Sequence, residues 1–155
     1  MISVHYAPAP PERAQSYILL RGQTRENAIS PAHLAALGIT AESWAADIRA
    51  LMLQGVLAEH EGQMVGYCFG NLHTGEVVVL ALLPAFEGQG IGQELLRRVM
   101  ALLHDHGHQR LFLGCSADPQ VRSYGFYRHL GWRSTGQVDG NGDEVLEWRA
   151  GGSKA

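Results

Sequence analysis

Residues 84–96 read PAFEGQGIGQELL, and this stretch contains the signals that decide the fold. It follows the run VVVLALL at 77–83, whose apolar residues occupy every position and therefore predict a central strand covered on both faces. After the glycines, residues 90–106 repeat their apolar side chains at helical spacing. The sequence therefore predicts a buried strand, a glycine-rich loop and an amphipathic helix in direct succession.

The loop between this strand and this helix is suited to bind an anion. Glycine lets the main chain approach a ligand closely, and a helix N-terminus offers unpaired N–H groups with a partial positive charge. The pattern predicts a phosphate or diphosphate site, unless the glycines serve only to tighten the turn. The dinucleotide-binding pattern Gly-x-Gly-x-x-Gly is absent, because the sixth position counted from Gly88 is Gln93. A P-loop is also absent, because the chain has no Gly-Lys pair.

The composition narrows the class of protein. The 155 residues are 46% hydrophobic and 17% charged with a net charge of −3, as expected of one globular domain with no basic surface for nucleic acid. The longest apolar run, 77–86, has about half of the roughly 20 residues that a membrane helix needs. Without a secretory signal pattern, a cytoplasmic location and no membrane partner are expected. Cys68 and Cys115 are too few for a disulfide framework or a structural zinc site, so we expect no metal.

The order of the predicted elements indicates the architecture. The predicted strands are 2–6, 56–61, 64–71, 76–83, 111–115, 132–137 and 144–148, and the predicted helices are 12–21, 33–37, 40–54, 90–106 and 120–130. This order predicts an α/β (α+β) protein with a mixed sheet flanked by helices. We expect a single domain over 1–149 and a flexible tail at 150–155.

Two stretches resemble motifs of one enzyme superfamily. The pattern Leu80-x-Leu82-x-Pro84, followed by GQGIG at 88–92, resembles motif A of the Gcn5-related N-acetyltransferases (GNAT), and GFYRHLGW at 125–132 resembles their motif B. The resemblance covers residues 1–149. It implies the acyl-CoA N-acyltransferase fold, with a central, mostly antiparallel sheet flanked by helices. It also implies acetyl-CoA as co-substrate and direct acetyl transfer to a primary amine of a small molecule or peptide.

The resemblance also implies where coenzyme A binds. It would lie in a V-shaped opening between the strands that end at Leu83 and Cys115, with its pantetheine arm paired to the main chain of the first strand. The implied coenzyme A residues are Leu82, Leu83, Glu87, Gly88, Gln89, Gly90, Ile91, Gly92, Gln93, Gln120, Ser123 and Tyr127. Glu87 departs from the family pattern, which has Arg or Gln there, so main-chain donors would have to bind the diphosphate.

Two residues are candidates for proton transfer. Tyr127 occupies the family's general-acid position, where a phenol protonates the departing thiolate; otherwise it is a core or surface tyrosine of an amphipathic helix. Glu76 opens the central strand, and strand parity puts it on the same side as Val78, Leu80 and Leu82. Some relatives have a general base there, and the alternative is a solvated glutamate at a strand end.

The acceptor site is predicted less directly. Arg25, Glu26 and Asn27 follow the first helix, where such enzymes build the acceptor wall, and they form either a site for a polar amine or a solvated loop. Trp44, Tyr67 and Phe69 either line an apolar slot for the acceptor or, as their spacings favour, belong to the core. A non-catalytic acyl-CoA sensor or interaction domain of the same fold is the alternative to an enzyme, and a homodimer is left open.

Overall fold

The structure is a computed structural model that describes residues 2–25 and 28–151. The helices within this part of the chain are α1 (Ala14–Arg21), α2 (Pro31–Ala36), α3 (Ala41–Arg49), α4 (Ile91–Asp105) and α5 (Arg122–His129). Its strands are β1 (His5–Pro8), β2 (Leu53–His60), β3 (Gln63–Asn71), β4 (Val77–Leu82), β5 (Arg110–Cys115), β6 (Arg133–Val138) and β7 (Glu144–Arg149). No helix in the described residues has the length and apolarity needed to cross a membrane.

The strands form two antiparallel sheets that meet at one point. One sheet has the order β1-β2-β3-β4 and the other the order β5-β7-β6. Between β4 and β5, a single parallel bridge joins Glu76 to Phe112, whose N–H donates to the Gly75 carbonyl at 3.3 Å. No other ladder joins these two strands in the described part of the chain. This confirms the predicted mixed, mostly antiparallel sheet and leaves an opening between β4 and β5.

Two apolar clusters hold the helices against the sheets. In the first, Leu95, Val99 and Leu103 of α4 pack on buried residues of both sheets, among them Leu111 and Leu146. Since one helix contacts both sheets, it fixes them relative to each other.

The second cluster lies on the opposite face of the four-stranded sheet. It centres on Tyr17, Trp44, Tyr67 and Phe69, whose ring centroids lie 5.0 to 5.7 Å apart. The Tyr67 hydroxyl donates to the Tyr17 carbonyl at 2.8 Å, which ties β3 to α1. The predicted placement of Trp44, Tyr67 and Phe69 in the core is therefore confirmed.

One predicted helix boundary is wrong. The apolar pattern predicts that α3 continues to residue 54, with Leu51 and Met52 on its buried face, but the helix ends at Arg49. Leu51 has a φ of +58° and is 67% exposed. The chain must turn here because Leu53 pairs with Asn71 at the start of the β2–β3 ladder. The ladder therefore overrides the helical periodicity.

A bulge in the β3–β4 ladder also breaks the strict alternation assumed for β4. Phe69 pairs with Val79 and Gly70 with Val77, so one extra residue, Val78, is accommodated on β4. Val77 consequently packs in the same cluster as Leu80 and Leu82. The alternation that would place Glu76 on the side of Leu80 and Leu82 is therefore wrong.

Candidate functional site

The loop between β4 and α4 adopts a backbone that requires glycine. A 3-10 turn over Pro84–Phe86 follows β4, and Gly88 and Gly90 then have φ values of +77° and +83°. Residues other than glycine are strained in this left-handed region. A Cβ atom at either position would meet no heavy atom within 4 Å, so the conformation and not crowding selects glycine.

This loop presents a run of unused main-chain donors. The first bond of α4 runs from the Glu94 N–H to the Gly90 carbonyl at 3.1 Å. The six N–H groups from Gly88 to Gln93 donate to no other described residue. Together with the positive end of the α4 dipole, they give this loop the features that suit a phosphate group.

A cavity of about 280 Å³ lies beside the loop and is lined by four parts of the chain. The lining residues are Thr24 and Arg25 after α1; Leu80 and Leu82 of β4; Glu87, Gly88, Gly90, Gly92 and Gln93 of the loop and α4; and Arg122, Ser123, Phe126 and Tyr127 of α5. The structure thus brings most of the predicted coenzyme A residues to one cavity.

Four of the predicted coenzyme A residues do not line it. Leu83 packs against both core clusters, and the Ile91 side chain is 2% exposed and anchors the start of α4. Gln89 and Gln120 are exposed, and the Gln120 N–H donates to Asp118 at 2.9 Å. For Ile91, only the main-chain N–H remains available to a ligand.

Sequence reasoning missed three cavity residues: Thr24, Arg122 and Phe126. Arg122 and Phe126 are one helical turn apart and adjoin Ser123 and Tyr127 in the sequence, so the i, i+4 spacing along α5 would have identified both. Thr24 gives no comparable signal because it lies in a loop.

Tyr127 lines the cavity with a ring that is mostly buried. It is 8% exposed, and its ring meets those of Phe126 and Trp132 edge-on, with centroids 5.0 and 6.0 Å away. Its hydroxyl donates to no described residue. Burial raises the pKa of Tyr127, and the nearby thiols of Cys68 and Cys115 raise it further. The phenol therefore holds its proton at neutral pH and can donate it to a group in the cavity.

A neighbouring arginine fixes the orientation of α5. The Arg128 guanidinium lies 3.7 Å from the Tyr124 ring centroid and donates to the Glu144 carboxylate of β7 at 2.5 Å. The bond to Glu144 ties the helix to the three-stranded sheet, while Tyr127, the preceding residue, is buried.

Glu76 lies at the bridge between the two sheets and is not part of the cavity lining. Burial raises the pKa of this half-buried carboxyl, and the negative charge of Asp139 raises it further. A carboxylate with a raised pKa is a better proton acceptor near neutral pH. The base assignment of Glu76 stays a prediction.

Arg25 links the predicted acceptor loop to the predicted phosphate loop, which lie far apart in the sequence. Its Nε donates to Oε1 of Glu87 at 2.9 Å. The other two predicted acceptor residues, Glu26 and Asn27, lie outside the described residues. In the part of the chain that the structure describes, no group of three or more His, Cys, Asp or Glu side chains is arranged to hold a metal ion.

Comparison with known proteins identifies the family. The sequence model of the acetyltransferase (GNAT) family matches residues 25–132, which is well over half of the chain. The chain belongs to this family. The match begins at Arg25 and ends at Trp132, so it includes the cavity residues from Arg25 onward.

Among curated GNAT-type relatives, an uncharacterized N-acetyltransferase of Mycobacterium tuberculosis is 34% identical over 82 residues. The aligned region is 51% of this chain and 52% of that protein. The chain thus spans about half the length of the curated relatives it matches.

Solved structures confirm the GNAT fold over nearly the whole chain. The PaiA N-acetyltransferase of Thermoplasma acidophilum, solved with coenzyme A, has a TM-score of 0.77 at 16% identity, with 96% of this chain and 99% of that chain covered. YncA of Salmonella typhimurium, solved with acetyl-CoA, has a TM-score of 0.71 at 15% identity, with 95% and 94% covered.

Proposed function

We propose that this protein is an N-acetyltransferase that moves an acetyl group from acetyl-CoA to a primary amine of a small molecule or peptide. One observation carries the proposal. The unused amides of the Gly88–Gln93 loop and the protonated phenol of Tyr127 border a single cavity. The first feature suits a diphosphate and the second suits a leaving thiolate, and acetyl-CoA contains both.

The shape of the site supports this ligand. Within the described residues, β4 and β5 pair only at the bridge between Glu76 and Phe112, so main-chain groups along β4 next to Leu80 and Leu82 have no described partner on that side. A pantetheine arm contains two amides and can pair with such an edge as an added strand does. PaiA and YncA were solved with coenzyme A and acetyl-CoA, which supports the same ligand here.

The proposed reaction is a direct transfer in a ternary complex. Bound acetyl-CoA supplies a thioester whose carbonyl carbon a neutral amine attacks, so that a C–N bond forms and the C–S bond breaks. Tyr127 donates its proton to the leaving sulfur. Glu76, which lies outside the cavity lining, accepts through water the proton that the amine loses. Holding both reactants in one cavity contributes several kcal/mol through proximity, so few catalytic side chains are needed.

A release assay for free thiol tests the proposal. Purified protein is mixed with acetyl-CoA and a broad panel of small amines and peptides, and we expect thiol release that depends on both protein and amine. Binding of coenzyme A is measured in parallel by calorimetry. A protein that ignores coenzyme A even at millimolar concentration would contradict the proposal.

The second candidate is a non-catalytic acyl-CoA sensor, which the position of the candidate base Glu76 outside the cavity lining favours. A sensor would show stabilisation against heat on adding acetyl-CoA but no thiol release with any amine.

A further inference from the structure

Glu87 poses an electrostatic problem for a diphosphate site. Its carboxylate lines the cavity directly before the first loop glycine, and its side chain is only 15% exposed. A phosphate group on the Gly88–Gln93 amides would therefore approach a fixed negative charge. The loop can bind a dianionic ligand well only if a cation offsets this charge.

Arg25 supplies such a cation. It is 62 positions from Glu87 in the sequence, yet its Nε donates to Glu87 Oε1 at 2.9 Å, and both residues line the cavity. The Nη1 and Nη2 groups of Arg25 donate to no described residue. The side chain is 58% exposed, so these groups are accessible to a ligand.

The geometry of the pair leaves the phosphate-binding part of Arg25 available. A guanidinium presents five N–H donors in a planar fork, and the bond to Glu87 uses the one on Nε. The remaining N–H groups are the ones that bind phosphate oxygens in pairs. Glu87 thus holds the guanidinium in place without using the donors that a phosphate requires.

We propose that Arg25 is a diphosphate-binding residue of the donor site and that Glu87 is the residue that positions it. This rests on the proposed function, because the diphosphate is that of acetyl-CoA. It assigns Arg25 to the donor and not to the amine acceptor, which is the role predicted from sequence. The segment after α1 then completes a phosphate site that the β4–α4 loop begins.

The first test measures the dissociation constants of coenzyme A and 3′-dephospho-coenzyme A by calorimetry. Arg25→Gln should weaken both ligands about ten-fold, the loss expected for one charge-assisted hydrogen-bonded contact. A loss confined to coenzyme A would place the contact on the 3′-phosphate and overturn the assignment. Unchanged binding of both ligands would also overturn it.

Arg49→Gln is the matched control. Arg49 is 60% exposed and pairs at 4.0 Å with an exposed carboxylate, that of Glu12, but it does not line the cavity. This variant should bind both ligands as the wild type does. Because the Arg25–Glu87 pair is largely exposed on its arginine side, ligand-free Arg25→Gln should melt at the wild-type temperature.

A double-mutant cycle tests the positioning role of Glu87. Arg25→Gln should be the weakest binder, because it leaves the carboxylate beside the phosphates without a counter-ion. Arg25→Gln/Glu87→Gln should bind more tightly than that single variant but less tightly than the wild type. The loss caused by Arg25→Gln should also be smaller in the Glu87→Gln background, where Arg25 has no anchor.

The outcomes separate this inference from the proposed function. If Arg25→Gln/Glu87→Gln binds coenzyme A as tightly as the wild type does, Arg25 only cancels the charge of Glu87, and the inference is wrong. If the wild type binds coenzyme A and Arg25→Gln binds it equally well, this inference is wrong but the proposed function is not contradicted. A wild type that does not bind coenzyme A overturns both.

Discussion

At the residue scale, Tyr127 combines two properties that a proton donor needs. Its side chain lines the cavity, and the burial of its ring raises the pKa so that the hydroxyl keeps its proton. The phenol is therefore in the protonated form that a hydrogen bond to the leaving sulfur requires, and as a neutral phenol it cannot take a proton from an ammonium group.

We expect Tyr127→Phe to lower turnover by about ten-fold or more, because the leaving thiolate loses its proton donor. The dissociation constant of acetyl-CoA should change little, since the ring remains. Steady-state kinetics and calorimetry measure the two effects. Tyr124→Phe is the control, because that ring stacks under Arg128 outside the cavity. Equal turnover in wild type and Tyr127→Phe would remove the phenol from the mechanism.

Glu76 and Asp139 allow a test of the base. A general base works only when deprotonated, so the raised pKa of Glu76 predicts that kcat/KM falls on the acidic side at a pH above the ordinary glutamate value of 4.5. Asp139→Asn removes one negative charge, lowers the pKa of Glu76 and should shift this acidic limb to lower pH. The pH dependence of kcat/KM checks this, with Asp47→Asn on α3 as the control. Glu76→Gln should abolish this limb together with most of the activity, and a limb that persists in Glu76→Gln would exclude Glu76 as the base.

At the element scale, the start of α4 is stabilised by charge as well as by glycine. The Glu94 carboxylate accepts from Arg97 Nε at 3.1 Å and from Arg98 Nε at 2.7 Å. It also lies in the first helical turn, where negative charge is favourable. The helix that presents the amides of the proposed phosphate site is thus reinforced at its N-terminal end.

These contacts make the stability of the protein depend on pH. The hydrogen bonds from Arg97 and Arg98 lower the pKa of Glu94 to about 2, below the ordinary value of 4.5. The stabilisation is therefore fully present above about pH 4.5 and is lost as the pH falls toward 2. Glu94→Gln should lower the melting temperature at pH 7 by about 2 °C, a small effect because the arginines are exposed. Calorimetric melts should show this difference vanish near pH 2, and a difference that persists there would contradict the assignment.

The contact between β3 and β4 depends on Gly66. A Cβ atom at this position would lie 2.8 Å from Leu82 Cδ1 and 2.9 Å from the Ala81 carbonyl oxygen. Gly66→Ala should therefore lower the free energy of unfolding by about 1–3 kcal/mol through overpacking. Guanidinium denaturation measures the loss. Gly140→Ala, where a Cβ meets nothing within 4 Å, should cost far less, and equal losses would contradict the packing argument.

The elements also show how far the sequence predicts this structure. The β4–loop–α4 unit follows from apolar periodicity and glycine spacing, which are local. The end of α3 does not, because Leu51 and Met52 continue the helical pattern while the ladder of Leu53 with Asn71 requires a turn. The bulge at Val78 cannot be predicted from the sequence either, because every residue from 77 to 83 is apolar and no change of pattern marks it.

The candidate site shows the same limit. Its glycines and Tyr127 are local motifs, and the sequence predicts them. The pair between Arg25 and Glu87 depends on two segments meeting in space, and no local pattern encodes such a meeting.

At the scale of the whole molecule, one helix connects both sheets. The first apolar cluster includes residues of α4, of β3 and of β5 and β7. Disrupting the packing of one sheet therefore also disrupts the packing of the other. That residues 1–149 form a single domain stays a prediction, and such a domain should unfold as one cooperative unit.

The tryptophans provide the test of cooperativity. Trp44 belongs to the second cluster, whereas Trp132 and Trp148 belong to or pack against the first. In Trp44→Phe, fluorescence reports on the first cluster, and far-UV circular dichroism reports on all helices, including α1 and α3. The two probes should give one denaturation midpoint. Separate midpoints would mean that the faces of the sheet unfold independently.

The opening between β4 and β5 has a consequence for molecules other than the natural ligand. Past the contact of Glu76 with Phe112, the facing sides of both strands have no ladder between them. Strand edges of this kind accept any extended chain with regularly spaced amides. A short peptidomimetic of that form, carrying no phosphate at all, would compete for the cleft, so inhibitors could be built on hydrogen bonds to the main chain, which side-chain mutation cannot easily remove.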